Sequence, residues 1–180
     1  MTSSAPISMS SALLPALSGM LRNLDHLLDK ALASAEQRHF KPEVLMQTRL
    51  APDMLPFASQ VRIACDTAKY GAARLAGVEA PRHDDNEATL AELKSRIRAT
   101  LDFLATVQAE QIDGSEAREI SFPVGRERTI RTMAGEAYLK HWVLPNFYFH
   151  VVTAYALLRH NGVDVGKVDY LAGSAGAAGA

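Results

Sequence analysis

Leu13, Leu17, Met20, Leu24, Leu27, Ala31 and Leu32 recur every three or four residues, while Arg22, Asn23, Asp25, Asp29 and Lys30 take the positions between them. This pattern predicts an amphipathic first helix over 11–36. Pro42 to Met46 reads as a short helical turn, with Pro42 at a permitted first position. A second helix is predicted over 53–76, with Phe57, Val61, Ala64, Ala68, Ala72 and Leu75 as its core stripe and alanines that allow a neighbour to approach closely. Asp53 is its expected cap. Pro56 must then lie in the first turn, because a proline in a helix interior costs ~3 kcal/mol. Gly77 follows as the C-terminal stop.

Residues 78–87, with Pro81, His83, Asp84, Asp85 and Asn86, form a polar connection. Thr89 and Glu92 then match a capping box, which opens a third helix. Its ladder is Leu90, Leu93, Ile97, Leu101, Leu104 and Val107, and it should end near residue 111. Over 118–132 the period changes to two. Ile120, Phe122 and Val124 alternate with Glu119, Ser121 and Pro123, and a second strand is expected over 128–131, with Pro123 confining the hairpin to a sheet edge. A fourth helix starts in 135–143, with a kink or a fresh start at Pro145, and ends at Arg159, His160, Asn161 and Gly162. The fold class is therefore all-α, a four-helix bundle with a small β-hairpin between helices 3 and 4. Residues 1–172 are expected to form a single domain and 173–180 a flexible Gly/Ala tail.

Composition narrows the function. The chain has 180 residues, 48% hydrophobic and 22% charged, enough for one domain with a sizeable core. Nineteen basic against twenty acidic residues leave a formal charge of -1, without the basic excess that nucleic-acid binding requires. Cys65 is the only cysteine, so there is neither an intramolecular disulfide nor a C-x-x-C site, and a cytoplasmic location is expected. It reads as a small buried filler. Residues 1–11 lack a signal-peptide pattern, and the longest apolar stretch, 142–158, carries Asn146 and His150 and is shorter than the ~20 residues a membrane span needs. No phosphate-binding glycine loop and no G-x-S-x-G elbow occurs.

The candidate chemistry lies in 142–162, an almost wholly apolar helix in which Asn146, His150 and Thr153 share one face at spacings of four and three. Burying an unpaired polar group costs about 1–3 kcal/mol, so these side chains need partners. Spacing of i and i+4 is also that of metal-ligand pairs on a helix. Two readings stay open for His150, a buried histidine hydrogen-bonded to a neighbour and a metal ligand. Elsewhere, Asp66 and Lys69 read as an ion pair on a solvated helix face, and His83 as a solvent-exposed loop residue. His26 and His39 lack a second ligand at useful spacing, His141 stands near the expected kink, and Tyr148 and Tyr155 read as core packing.

Several segments carry a family resemblance. They are Leu50-Ala51-Pro52-Asp53-Met54 leading into Gln60-Val61-Arg62-Ile63-Ala64-Cys65-Asp66-Thr67-Ala68-Lys69, and Leu144-Pro145-Asn146-Phe147-Tyr148-Phe149-His150 with Leu158-Arg159-His160-Asn161-Gly162. With the helix arrangement, they make the chain resemble the DinB/YfiT-like metalloenzyme superfamily, and within it a bacterial family of unknown function. The resemblance spans nearly the whole chain and implies a metal held by one His of the second helix and an H-x-x-x-H pair on the fourth, eight residues before a Leu-Arg. Counting back from Leu158-Arg159 lands on His150, puts the first member of the pair at Asn146 and the second-helix position near Gln60. One of three imidazoles survives, and amides are poor zinc ligands.

Two functions of different class follow. One is a small-molecule-binding protein with a degenerate site built from Gln60, Asn146 and His150, with Thr153 on the same face. The other is a metal-dependent enzyme such as a thiol-dependent transferase, with His150 as a ligand and others, such as His141 or a carboxylate, recruited elsewhere. We expect no resident cofactor, a divalent metal being the alternative. The expected partners are a second copy of the chain, docked through an apolar face of the fourth helix, and a small-molecule ligand, with neither nucleic acid nor membrane.

Overall fold

Helix α1, Met9–Gln37, forms the spine of the computed structural model, which describes residues 7–125 and 127–176. It starts two residues before the predicted position because Ser8 and Ser11 form a capping box: the Ser11 N–H donates to Ser8 Oγ (3.3 Å) and the Ser8 N–H to Ser11 Oγ (2.8 Å). Leu13, Leu17, Leu21, Leu24, Leu27 and Leu28 are fully buried on one stripe, each contributing roughly 1.5–3 kcal/mol of burial free energy. Pro15 sits in the same helix on the exposed side, where the carbonyl it leaves without a donor faces water.

After a 3-10 turn, Pro42–Gln47, the second helix α2 spans Phe57–Ala76. It begins four residues later than predicted. Pro56 occupies the N-cap rather than the first turn, and Asp53 caps nothing, because the Phe57 N–H donates instead to the Thr48 carbonyl (2.9 Å). Gly77 ends the helix in the left-handed conformation (φ 71°), as expected. Helix α3, Leu90–Thr106, has the anticipated box, with the Thr89 N–H donating to Glu92 Oε2 (2.9 Å) and the Glu92 N–H to Thr89 Oγ1 (3.2 Å). It stops short of residue 111. Val107 turns extended, and Gln108 with Gln111 opens a separate turn, α4, Ala109–Ile112. Asp113, just past α4, accepts the Ser10 N–H (2.8 Å) and hydroxyl (2.9 Å), fastening this turn to the start of α1.

The hairpin pairs β1, Glu119–Val124, with β2, Thr129–Ala134, in antiparallel register, Phe122 opposite Arg131 and Pro123 opposite Ile130. Strand β2 runs three residues past its predicted end. Ile120 and Phe122 are buried against the helices while β2 stays mostly exposed, so only one strand of the ribbon contributes to the core. The chain then turns at Gly135, where a Cβ would lie 2.0 Å from the Ser115 carbonyl oxygen.

From there one helical run continues through α5 (Gly135–Tyr138), a π-helical segment (Leu139–Val143) and α6 (Leu144–His160). Pro145 takes the opening turn of α6, a fresh start prepared by the wider π turn, in which the Leu144 N–H donates five residues back to Leu139. Gly162 (φ 80°) closes the run. A further helix, α7, Lys167–Gly176, was not legible in the pattern and lies along α1, through Asn23 Nδ2 to the Tyr170 carbonyl (3.0 Å) and Lys30 to Asp169 (3.0 Å). Ala172 departs from helical backbone angles within it, and residues 177–180 of the expected tail lie outside the described residues.

The four long helices α1, α2, α3 and α6 enclose the core, and among the described residues none is long and apolar enough to cross a membrane. The π-helical segment comes close to α2 at Gly71, where a Cβ would stand 2.6 Å from Val143 Cγ1. Gly71→Ala is expected to lower stability by about 1–3 kcal/mol through overpacking, read as a shift of the urea midpoint at unchanged slope.

Candidate functional site

Gln60, Thr67 and Arg74 stand seven residues apart on α2, so they share one face, and each meets a polar group of the α5–α6 run. At the first rung His150 Nδ1 lies 2.7 Å from Gln60 Oε1, and Gln60 Nε2 donates to the Leu55 carbonyl (2.9 Å). The amide is thereby oriented oxygen-first toward the ring, so Nδ1 carries the proton and donates, and Nε2 keeps its lone pair. Both side chains are buried, Gln60 at 2% and His150 at 8% exposure. Burial alone pushes the His150 pKa down to about 4, which keeps the ring neutral at pH 7.

At the second rung Asn146 Nδ2 donates to Thr67 Oγ1 (3.1 Å), and at the third Arg74 Nη1 donates to the Tyr138 hydroxyl (2.9 Å). Thr153 returns its hydroxyl to its own helix, donating to the Phe149 carbonyl (2.7 Å). The structure thus joins Gln60 to His150, sends Asn146 to a different residue of α2, and gives Thr153 no bond across the interface. A resident zinc or nickel ion does not fit this arrangement. Gln60 Oε1 and His150 Nδ1 are bonded to each other, and one imidazole nitrogen is a poor basis for a site that ordinarily takes three or four ligands. His141 is exposed on the π segment, and among the described residues no three His, Cys, Asp or Glu side chains are grouped to hold an ion.

Beside the second and third rungs opens a cavity of about 480 Å³ between α2, the hairpin and the α5–α6 run. Its walls are aromatic. The Phe122 ring lies 5.0 Å from Trp142 and 4.8 Å from Tyr138, centroid to centroid, and Arg74 Cζ sits 5.1 Å from the Tyr70 ring and 5.4 Å from Phe122. Thr67 and Asn146 supply uncharged polar groups to the lining, and Asp66, Arg74 and Arg128 its charges. Sequence reasoning passed over Arg74, Tyr138 and Trp142. The signal that marks Arg74 is the seven-residue recurrence of polar side chains at Gln60, Thr67 and Arg74 on α2; no comparable spacing marks Tyr138 or Trp142.

The Asp66–Lys69 pair is not on a solvated face, which corrects the sequence reading. Lys69 is 1% exposed and lies 2.9 Å from Asp66, whose carboxylate also accepts from Arg96 Nη2 (2.8 Å). Arg96 in turn reaches Asp85 (2.6 Å) and Glu87 (2.9 Å), and Glu87 accepts from Arg62 Nε (2.7 Å). His83 is likewise not a free loop histidine: its Nδ1 stands 3.2 Å from Lys69 Nζ. The 78–87 connection folds back over α2 and α3 and supplies Asp85 and Glu87, while Asp66 comes from α2 itself.

Burial opposes the Arg96 charge, but hydrogen bonds to Glu87 and Asp85 and the Asp66 carboxylate outweigh it and raise the guanidinium above its ordinary pKa. Burial would also raise Glu87, yet the Arg96 hydrogen bond leaves it below the usual carboxylate range. Burial, then the nearby Lys69 and Arg96 charges, lower His83. Behind the network Cys65 is fully buried, and burial pushes its thiol up to about 12, an inert filler as expected.

A family model described as "Domain of unknown function (DUF1993)" matches residues 9–171 of the chain. The crystal structure of a DinB family member protein from Shewanella denitrificans has a similar fold, with a TM-score of 0.81, 42% sequence identity and 90% of each chain covered. A comparison with functionally curated proteins gives no match.

The neutral, buried His150 makes stability depend on pH. Its folded pKa lies below the unfolded value near 6.5, so its contribution is fully present above pH 6.5 and is lost as pH falls toward 4. Between pH 7 and pH 4 the wild type should lose about 3 kcal/mol more unfolding free energy than His150→Gln, measured by denaturant titration at each pH.

Proposed function

The chain belongs to the DUF1993 family of DinB-like proteins, and on that footing we propose that this member binds a small molecule, its family's metal position having become the Gln60–His150 pair. The observation that carries the reading is the buried 2.7 Å bond between those two side chains. That bond takes up the Gln60 amide oxygen and leaves a single free imidazole nitrogen, His150 Nε2, where a metal centre of this kind would need three or four ligands. Here the amide and the imidazole satisfy each other, and separating them would strand buried polar groups at about 1–3 kcal/mol each.

The neighbouring cavity supports a ligand seat. Its volume of about 480 Å³ falls within the ~300–1,000 Å³ usual for small-molecule sites, and among the described residues its lining sets four aromatic rings beside three charged side chains and the polar Thr67 and Asn146. Metal content and tryptophan emission of untagged protein test the reading together. Metal should be well below one equivalent and unchanged in His150→Ala. Trp142, the only tryptophan of the chain, lines the cavity, so its emission should respond saturably to members of a broad panel of small molecules. Near-stoichiometric metal lost in His150→Ala, or no response to any compound, overturns the reading.

A homodimer through the outer face of α6 belongs to the same proposal, supported by Phe149 and Val152 at 55% and 45% exposure on an otherwise apolar helix. Light scattering at micromolar concentration should give a dimer mass that Phe149→Glu reduces to the monomer. A wild-type monomer retires the idea.

A further inference from the structure

We propose that the cavity selects an aromatic oxyanion, a flat ring carrying a carboxylate or a phosphate monoester, with Arg74 holding the charged head and the aromatic walls the ring. This rests on the preceding reading that the cavity is a ligand seat, and it names the class of ligand.

The argument is one of charge left over. Among the described residues, Arg62 and Arg96 are each paired with carboxylates, whereas no carboxylate lies within ion-pair distance of Arg74. Its neighbours fix it without neutralising it. Tyr138 accepts one N–H, and the Tyr70 and Phe122 rings flank the guanidinium. A guanidinium has five N–H donors in a rigid fork that matches a carboxylate or phosphate, and one of them is used here. Asp66 is the only acid lining the cavity among the described residues, and it is committed to Lys69 and Arg96. Arg128 adds a second positive charge from the hairpin turn, also without an ion-pair partner among the described residues.

A ligand here meets net positive charge at one end. A cationic ligand is repelled, and a neutral one displaces water from Arg74 without replacing it by an acceptor of equal strength. The body of the ligand is set by the walls. Phe122 and Trp142 are tilted at 52° with centroids 5.0 Å apart, an arrangement that offers a ring edge and a ring face to a third aromatic group. Thr67 and Asn146, bonded to each other, leave a hydroxyl hydrogen and an amide oxygen for a polar ring substituent.

Calorimetry and Trp142 emission on the full chain test the class with four probes: benzoate, phenyl phosphate, benzamide and benzylamine. One or both oxyanions should bind at least about tenfold more tightly than benzamide, a gap expected of a charge-assisted contact. Benzylamine should not bind, and the benzoate and phenyl phosphate arms tell which head group is preferred. Arg74→Gln should weaken the oxyanions roughly ten- to hundredfold and leave benzamide unchanged. Should that variant fold poorly for loss of its bond to Tyr138, Arg128→Gln on the exposed turn gives the same selective loss at several-fold size. Equal binding of benzamide or benzylamine overturns the proposal. If none of the four binds while the broad panel does, this proposal falls and the ligand seat stands; if nothing in the panel binds, both fall.

Discussion

The close approach of α2 to the α5–α6 run is the constraint from which the rest follows. Small residues on α2 allow it: Gly71 receives Val143 where no Cβ has room, and Ala64, Ala68 and Ala72 are fully buried along the same helix. Polar side chains buried between helices packed this tightly need hydrogen-bond partners close at hand, and three residues of α2 find theirs across the seam. Gln60 with His150, Thr67 with Asn146 and Arg74 with Tyr138 are the result. The π segment matters to the same seam. It sets the Tyr138 end of the run against Arg74 and places Pro145, which has no N–H to donate, in the opening turn of α6. The site is thus a by-product of helix packing, and its chemistry is inherited from which seam positions are polar.

Electrostatics divides the molecule into two regimes on opposite flanks of α2. On the α3 flank, Asp66 of α2 matches Lys69, and with Asp85 and Glu87 of the 78–87 connection it matches Arg96, so both cations are compensated within the fold. Breaking one partner of such a network typically costs about 3–5 kcal/mol, because a buried charge is left behind. On the hairpin flank, Arg74 is held by a phenol and two rings and keeps its charge available. The contrast separates a structural arginine from one poised to meet something outside the chain.

The long helices were legible because each buries a stripe with regular spacing, and the Thr89 box and the Gly77 and Gly162 stops are chemistry local to a few residues. The hairpin was legible in β1, where Ile120 and Phe122 alternate with exposed residues, and less so in β2, which packs little and so carries no hydrophobic period. Helix α7 carries little hydrophobic period to read, since Val168 and Leu171 are exposed, and Asn23, Lys30 and Asp169 help tie it to α1. The burial of His150 and its meeting with Gln60 followed from helix register plus family resemblance. The separate fate of Asn146, and the ion network around Asp66, depended on where a loop folds and which rotamer reaches which neighbour, and no local spacing encodes either. Position along a helix fixes a face; it does not fix the partner.

The root of the hairpin is interlocked. Gly135 presses against the Ser115 carbonyl with no space for a side chain, and the Glu136 N–H donates to the Glu116 carbonyl (2.9 Å) directly beside it. At the other extremity Gly125 and Arg128 hold the turn in left-handed conformations, exposed and lightly packed. The ribbon is thus anchored at its foot by backbone contact, whereas Gly125 and Arg128 at its far end stand in solvent. Because Pro123, Val124, Gly125 and Arg128 line the cavity, its ribbon wall is built from the end of the hairpin farthest from that foot.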